Sequence, residues 1–156
     1  MSKQTPNCAC CKARPISVFA GCDDDLLRQQ NEAKRCVEFN EGDVIFSERD
    51  EADGVYCICS GKVALTITSD DGCDSISVYE VGEGDMFGIE SVVNEQQRFR
   101  TARALTDVAA CFIPKDFFLD VISRDSNISA DVMRRIIQSI RSMGLLIPNA
   151  EKLFLE

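Results

Sequence analysis

The chain has 156 residues, a formal net charge of −9 and no histidine. Its length suits one domain with a substantial core, or one domain with an appended helix. The negative charge disfavours direct binding of nucleic acid. The absence of histidine excludes a histidine general base, histidine-ligated haem and zinc sites that combine cysteine with histidine.

The composition, 45% hydrophobic and 28% charged, is typical of a soluble globular protein. No apolar run approaches the length of a membrane helix, and the first residues do not form a signal peptide. We therefore expect a cytoplasmic protein that does not contact a membrane. Nine cysteines are many for such a chain, because disulfides are rare in the cytoplasm. They indicate buried thiols, a metal or iron–sulfur site, or redox-active thiols.

The first 22 residues form a cysteine-rich segment, and a helix is predicted directly after it. Three cysteines fall within four residues and a fourth ends the segment: Cys8, Cys10, Cys11 and Cys22. The acidic run 23–25 precedes Leu26 and Leu27, and carboxylates are favoured at a helix N-terminus. The predicted helix covers about residues 23–34.

From Cys36 the pattern changes to short β segments separated by turns. About eight strands at close spacing indicate a sandwich or barrel. The predicted strands include 36–39, 44–46, 55–59, 62–68, 75–81, 98–104 and 108–113.

After Pro114 the pattern becomes helical. Apolar residues cluster at helical spacing over 117–122, and Asn127 or Ser129 is the predicted cap of a longer helix from Ile128 to about Met143. Gly144 is the predicted stop. Four apolar residues of this helix repeat at the 3–4–3 spacing of a coiled-coil seam, namely Met133, Ile136, Ile140 and Met143. We expect a homodimer through this seam, although part of the stripe must pack on its own β-roll.

The stretch 81–106 joins a glycine turn to a short apolar segment. Gly88 leads into residues 89–93, and Arg98 follows a polar run. A glycine that lets backbone N–H groups approach a ligand, followed by a short helix, is a geometry that binds phosphate. An arginine on the next strand is suited to pair with the same anion.

The segments 39–48 and 53–63 resemble the first half of a cyclic-nucleotide-binding domain, and 81–108 resembles its second half. The resemblance covers about residues 16–145 and implies a mainly β fold with flanking helices. This fold is a double-stranded β-helix (jelly roll) with a C-terminal dimerisation helix. The chain is similar to the sensory half of a Crp/Fnr-type transcription regulator. In such a regulator, DNA would be bound by a helix-turn-helix domain, which is absent from this chain. We divide the chain into a cysteine-rich segment (1–22), a β-roll sensory domain (23–126) and a dimerisation helix with its tail (127–156).

In cyclic-nucleotide binders a glutamate follows the glycine and binds the ribose hydroxyl. Ten residues after the glycine comes an arginine for the phosphate, followed by Ser or Thr. Here Ile89 follows Gly88, and Phe99 follows Arg98. Three readings stay open: a structural turn, a site for another small anionic effector, or a site for cyclic AMP. The candidate pocket residues are Gly88, Ile89, Glu90, Arg98, Phe99 and Arg100.

The order glycine, apolar residue, acid at 88–90 resembles the Fnr branch, whose oxygen sensor holds an iron–sulfur cluster. The resemblance implies Cys8, Cys11 and Cys111 as ligands, with Cys22 or Cys10 replacing a third ligand expected near Ser17. Four thiolates would equally suit zinc. Buried thiols without a metal are the remaining alternative. Cys57 and Cys59 share one face of a strand and are expected to pack rather than ligate.

Three functions compete. The first is the sensory and dimerisation domain of a transcription regulator that responds to an effector, to oxygen or to redox state. The second is a stand-alone module of the same fold that binds a small anionic ligand and signals to a protein partner. The third, an enzyme, is disfavoured, because no nucleophile motif or paired carboxylates form a catalytic constellation.

Overall fold

The computed structural model describes residues 13–68 and 75–146, which form two four-stranded antiparallel sheets with flanking helices. The first sheet has the order β1-β8-β3-β6 and the second β2-β7-β4-β5. The strands are β1 (Arg35–Phe39), β2 (Val44–Phe46), β3 (Gly54–Ser60), β4 (Val63–Thr68), β5 (Ser75–Val81), β6 (Met86–Phe87), β7 (Thr101–Ala104) and β8 (Val108–Pro114). The helices are α1 (Asp24–Ala33), α2 (Ile89–Val93), α3 (Lys115–Arg124) and α4 (Ser126–Leu146), and a 3-10 turn covers Arg14–Ile16. The predicted jelly-roll fold with flanking helices is confirmed.

The inner core lies between the two sheets. Alternate residues of each strand point inward because successive side chains in a strand face opposite sides. The inner core includes Ile58, Val63, Leu65, Phe87, Ala102, Ala104, Val108 and Ala110. Small residues on β7 and β8 leave room for the larger side chains of β3, β4 and β6.

A second core, which we call the outer core, lies between the outer face of the first sheet and the helices. Val55 and Cys57 of β3 point outward and contact an apolar cluster from α1, α3 and α4. Residues 13–22 contribute Val18, Phe19 and Cys22 to this cluster. The described part of the N-terminal segment therefore packs as part of the β-roll. The division of the chain at residue 22 stays a prediction about domains.

Helix α1 follows its prediction closely. Asp23 caps it by accepting a hydrogen bond from the backbone N–H of Leu26 at 2.8 Å. Two predictions about α4 were wrong. Asp125, rather than Asn127 or Ser129, caps the helix, because its carboxylate accepts from the backbone N–H groups of Asn127 and Ile128 at 3.0 Å each. Gly144 lies inside the helix and does not end it. A glycine in a helix costs only about 1 kcal/mol relative to alanine, and it does not by itself stop the helix.

The predicted strand 98–104 is shorter in the structure, because β7 begins at Thr101. Residue 98 bonds through its backbone to the loop after β2. The N–H of Arg98 donates to Asp50 O at 2.8 Å, and the N–H of Arg49 donates to Arg98 O at 2.6 Å. The side chain of Arg98 is buried. The residues directly before Thr101 form a loop, so the prediction that the strand begins at Arg98 was wrong.

Within residues 13–68 and 75–146, we find no helix with the length and apolar character needed to cross a membrane.

Candidate functional site

The turn at Gly88 connects β6 to the short helix α2. Gly88 has φ +79°, a left-handed conformation that glycine adopts without steric cost, and it caps α2. A Cβ atom at this position would lie 2.6 Å from Nη1 of Arg98. The left-handed backbone conformation therefore favours glycine, and a larger residue would also have to displace the guanidinium of Arg98. The predicted glycine turn followed by a short helix is present.

Arg98 is buried, with 2% of its surface exposed, and joins three segments of the chain. Its Nη1 donates to Gly88 O at 2.8 Å, and its Nη2 donates to Gly54 O at 2.5 Å. The guanidinium also lies 4.3 Å from the centroid of the Phe46 ring, and Asp53 is 3.6 Å from Nη2. Burial lowers the pKa of Arg98. These contacts make Arg98 an anchor between α2, the start of β3 and β2.

Arg100 is equally buried and lies nearer to α4. Its Nη1 donates to Glu90 Oε1 and to the hydroxyl of Tyr79, each at 3.0 Å, and contacts Ser139 Oγ at 3.3 Å. Ser139 Oγ in turn donates to Glu90 Oε1 at 3.2 Å. One arginine therefore links α2, β5 and α4 in a single polar network. We call these four residues (Tyr79, Glu90, Arg100 and Ser139) the Arg100 network.

The sequence pattern did not identify Tyr79 and Ser139 as site residues. They stand 21 and 39 positions from Arg100, respectively, and no short motif connects them. Of the two residues that depart from the cyclic-nucleotide pattern, Ile89 is buried in the outer core. Phe99 is 44% exposed, and its ring centroid lies 4.8 Å from the guanidinium carbon of Arg100.

A cavity of about 150 Å³ lies between β5, α2 and α4. This volume is below the range of about 300–1,000 Å³ that is usual for small-molecule sites. Its charged lining residues are Glu80, Asp85, Glu90 and Arg135. Arg135 is already engaged, because it donates to Gly84 O at 3.0 Å and to Ile16 O at 2.7 Å. Glu90 both lines the cavity and pairs with Arg100, so it is the carboxylate that connects the cavity to the Arg100 network.

The outer face of α4 carries an apolar stripe. Met133 is 57% exposed, Ile137 55% and Ile140 41%. Ile136, which we predicted in the dimer seam, is instead partly buried against the outer core and lines the cavity. The side chain of Met143 lies outside the described residues. The exposed stripe therefore runs through Met133, Ile137 and Ile140, at a spacing of four and three.

The predicted metal ligands fall into two groups. Cys8, Cys10 and Cys11 lie outside the described residues. Cys22 is buried among apolar side chains, and burial raises its pKa. Cys111 contacts Cys59, with 3.6 Å between their sulfur atoms; this hydrogen bond and burial raise the pKa of the Cys111 thiol. Among the residues that the structure describes, no three cysteine, aspartate or glutamate side chains are grouped to hold a metal.

The two-sheet roll, the short helix α2 and the covering helix α4 together define a known class of domain. Residues 36–125 match the family described as "Cyclic nucleotide-binding domain", and the chain belongs to this family. The predicted resemblance is confirmed at this level. The Fnr-like branch stays a prediction.

Several other proteins share the domain at low sequence identity. The chain is 27% identical over 124 residues to a CRP-like cAMP-activated global transcriptional regulator of Mycobacterium tuberculosis, a match that covers 80% of this chain and 55% of the regulator. It is 28% identical over 118 residues to lysophospholipase nte1 of Aspergillus terreus, covering 76% of this chain and 8% of the enzyme. The fold matches the regulatory subunit of a cAMP-independent protein kinase A from Trypanosoma brucei with a TM-score of 0.70 and 26% identity, over 90% of this chain and 47% of that one. The chain therefore spans about half of the regulator and a small part of the enzyme.

Proposed function

We propose that this domain is the effector-sensing part of a CRP-type transcription regulator in the cytoplasm. In this proposal it acts as a homodimer, does not catalyse a reaction, and contacts DNA only through a domain outside these 156 residues. The net charge of −9 supports the last point, because a surface with an excess of acidic residues disfavours contact with the polyanionic backbone of DNA. The observation that carries the proposal is that α4 lines the cavity and that its Ser139 is hydrogen-bonded to Glu90, which lines the same cavity.

Two sets of contacts hold α4 in place. Ser139 belongs to the Arg100 network. Four residues before it on α4, Arg135 donates to Gly84 O and to Ile16 O. Glu90, Arg135 and Ser139 line the cavity, and each of them contacts or belongs to α4, so a ligand that displaces one of them acts on this helix. Occupancy of the pocket would therefore change the position of the helix that we propose as the dimer contact.

We propose that the effector is a small anion that competes with Glu90 for Arg100. Ile89 and Phe99 replace the side chains that would pair with the ribose hydroxyl and the phosphate of a cyclic nucleotide. A ligand hydroxyl left unpaired in a buried site costs about 1–3 kcal/mol. Arg98 is committed to Gly88 O and Gly54 O. Arg135, the arginine that lines the cavity, is committed to Gly84 O and Ile16 O. Arg100 lies behind the lining residue Glu90 and pairs with it, so it is the arginine that we propose for the anion.

This proposal predicts how Glu90→Gln and Arg100→Gln change anion binding. Titration calorimetry with inorganic phosphate should show binding to Glu90→Gln about tenfold tighter than to the unmodified chain, as expected when a competing charge of about 1.4 kcal/mol is removed. Arg100→Gln should not bind phosphate. Glu80→Gln, which changes an exposed carboxylate of the same cavity, is the control and should behave as the unmodified chain. Tight binding of cyclic AMP that survives Arg100→Gln would refute the proposed site.

A second candidate is the stand-alone module that signals to a protein partner. The exposed stripe of α4 supports it, because an apolar surface of this kind would also suit an apolar groove on another protein. In that case the chain would be a monomer when pure. The sedimentation measurement described in the Discussion distinguishes the two candidates.

For oxygen or redox sensing, we propose thiolates from the N-terminal segment together with Cys111. The support is positional, since Ala13 and Arg14 line the same small cavity as Cys111. The stretch with Cys8, Cys10 and Cys11 thus directly precedes residues packed beside Cys111. Protein purified without oxygen should contain iron and absorb visible light, and Cys8→Ser, Cys11→Ser or Cys111→Ser should each abolish both signals. Zinc in place of iron would favour a structural site, and a colourless, metal-free sample would exclude both.

A further inference from the structure

Three cysteines occupy one row across the first sheet. Cys111 of β8 is the direct register partner of Cys36 on β1 and of Cys57 on β3. Register partners on neighbouring strands point to the same face of a sheet. This face is the outer one, which residues 13–22 and α1 cover, and Cys59, two residues after Cys57, points to it as well. Four of the nine cysteines of the chain therefore share one face.

Cys59 and Cys111 are in direct contact. Their sulfur atoms are 3.6 Å apart. The pairing of β3 with β8 shifts between Ile58 and Ser60, so Cys59 is the extra residue of a β-bulge. A bulge bends the strand and redirects its side chain, which explains how Cys59 contacts a residue that is not its register partner.

The sulfur atoms have space in which to move closer. A cavity of about 30 Å³ lies beside them, and Cys57, Cys59 and Cys111 all line it. A disulfide requires the two sulfurs at about 2.05 Å. Rotation of the two side chains into this cavity would bring them together without moving the neighbouring strands past each other. Cys59 is half-buried and Cys111 is buried, so a small oxidant would reach Cys59 first.

We propose that Cys59 and Cys111 are a modification site that forms a reversible disulfide with peroxides. Hydrogen peroxide first oxidises the sulfur of Cys59 to a sulfenic acid, which breaks the O–O bond and releases one water. The sulfur of Cys111 then attacks the sulfur of Cys59. The S–O bond breaks, the hydroxide leaves with the proton of Cys111 as a second water, and an S–S bond forms. A thiol such as glutathione reverses the modification by disulfide exchange.

This site is independent of the effector pocket, but it has a route to α4. Arg14 and Ser17 of the N-terminal segment line the cavity beside the two sulfurs. Between them, the carbonyl of Ile16 accepts a hydrogen bond from Arg135 of α4 at 2.7 Å. A disulfide that changes the shape of this cavity would therefore act on the segment that holds one end of Arg135.

The test uses the full chain with Cys8, Cys10, Cys11 and Cys73 replaced by Ser, so that neither a metal cluster nor these thiols interfere. The folded protein is treated with hydrogen peroxide, denatured, alkylated and digested. We expect a peptide cross-linked through Cys59 and Cys111, loss of both residues from the alkylated pool, and recovery of both after reduction. The same cross-link in the chain with all nine cysteines would show that the disulfide also forms when the N-terminal cysteines are present and able to bind a metal.

Cys57→Ala is the matched control, because Cys57 lines the same cavity on the same strand. It should leave the cross-link unchanged, whereas Cys59→Ala should abolish it and leave Cys111 as a free thiol. The cross-link is detected in protein that retains both Cys59 and Cys111, so its detection does not depend on the folding of a variant at either position. Alkylation of both Cys59 and Cys111 after peroxide treatment, or a cross-link from Cys111 to Cys36 or Cys57 instead, would overturn the proposal.

Discussion

Replacement of Arg98 by alanine should lower the free energy of unfolding by about 3 kcal/mol. The side chain is 2% exposed and donates to two backbone carbonyl groups, Gly88 O and Gly54 O. Its loss leaves buried acceptors without a donor, at about 1–3 kcal/mol for each such group, and removes a cation from the face of Phe46. Urea denaturation of the ligand-free protein measures the change.

A suitable control for Arg98→Ala is Arg103→Ala. Arg103 also donates to a backbone carbonyl, Gly42 O, at 2.8 Å, but this bond is exposed to water. Water replaces the lost donor there, so the expected change is within about 0.5 kcal/mol. If Arg98 served only to bind an anion, the ligand-free Arg98→Ala protein would be as stable as the Arg103→Ala protein. That result would contradict the anchoring role.

The second large effect concerns association of the chain. We expect a homodimer through the exposed stripe of α4, and Ile137→Glu with Ile140→Glu should weaken it by about a hundredfold in Kd, or about 3 kcal/mol. Each isoleucine contributes about 1.5–3 kcal/mol when it is fully buried. A carboxylate placed in an apolar interface adds a desolvation cost. Sedimentation equilibrium over a range of concentrations measures the Kd.

Arg134→Ala is the matched control for the stripe. Arg134 lies on the same helix, is largely exposed, and forms a distant ion pair with Asp131 at 3.7 Å. Its removal should leave the Kd within a few-fold of the original value, because exposed ion pairs contribute about 0–1 kcal/mol. A pure unmodified chain that stays monomeric at high concentration would contradict the dimer and favour the module that binds a different protein.

Arg98 shows that spacing in the sequence predicts which residues a side chain lies near, but does not predict what the side chain does there. The spacing of ten residues predicts that Gly88 and Arg98 lie together, and they do meet, with 2.8 Å between Gly88 O and Nη1 of Arg98. The spacing alone did not show that the guanidinium is engaged with backbone carbonyls. Whether an arginine faces a ligand or the protein depends on which acceptors surround it, and one of them, Gly54 O at the start of β3, is 44 residues away in the sequence.

The stripe of α4 shows a similar limit. A 3–4–3 apolar spacing predicted the seam Met133, Ile136, Ile140 and Met143. A helix with a broad apolar stripe has more than one candidate contact face. The β-roll takes the face with Val132 and Ile136, which leaves Met133, Ile137 and Ile140 outside. The period of the pattern was sufficient to predict the helix, and only packing selected the face.

Local patterns in the sequence determined the fold of this protein. Alternating strands, glycine turns, the Asp23 cap and the helical period of α4 each act within a few residues, and together they specify a β-roll with a covering helix. The tertiary structure decided the site. The contact of Arg100 with Glu90 and Ser139 and the contact of Cys59 with Cys111 span 10 to 52 positions, and they exist because folding brings distant elements together. A hydrogen bond requires its atoms within about 3 Å, and for such distant residues only the complete packing of sheets and helices provides this precision.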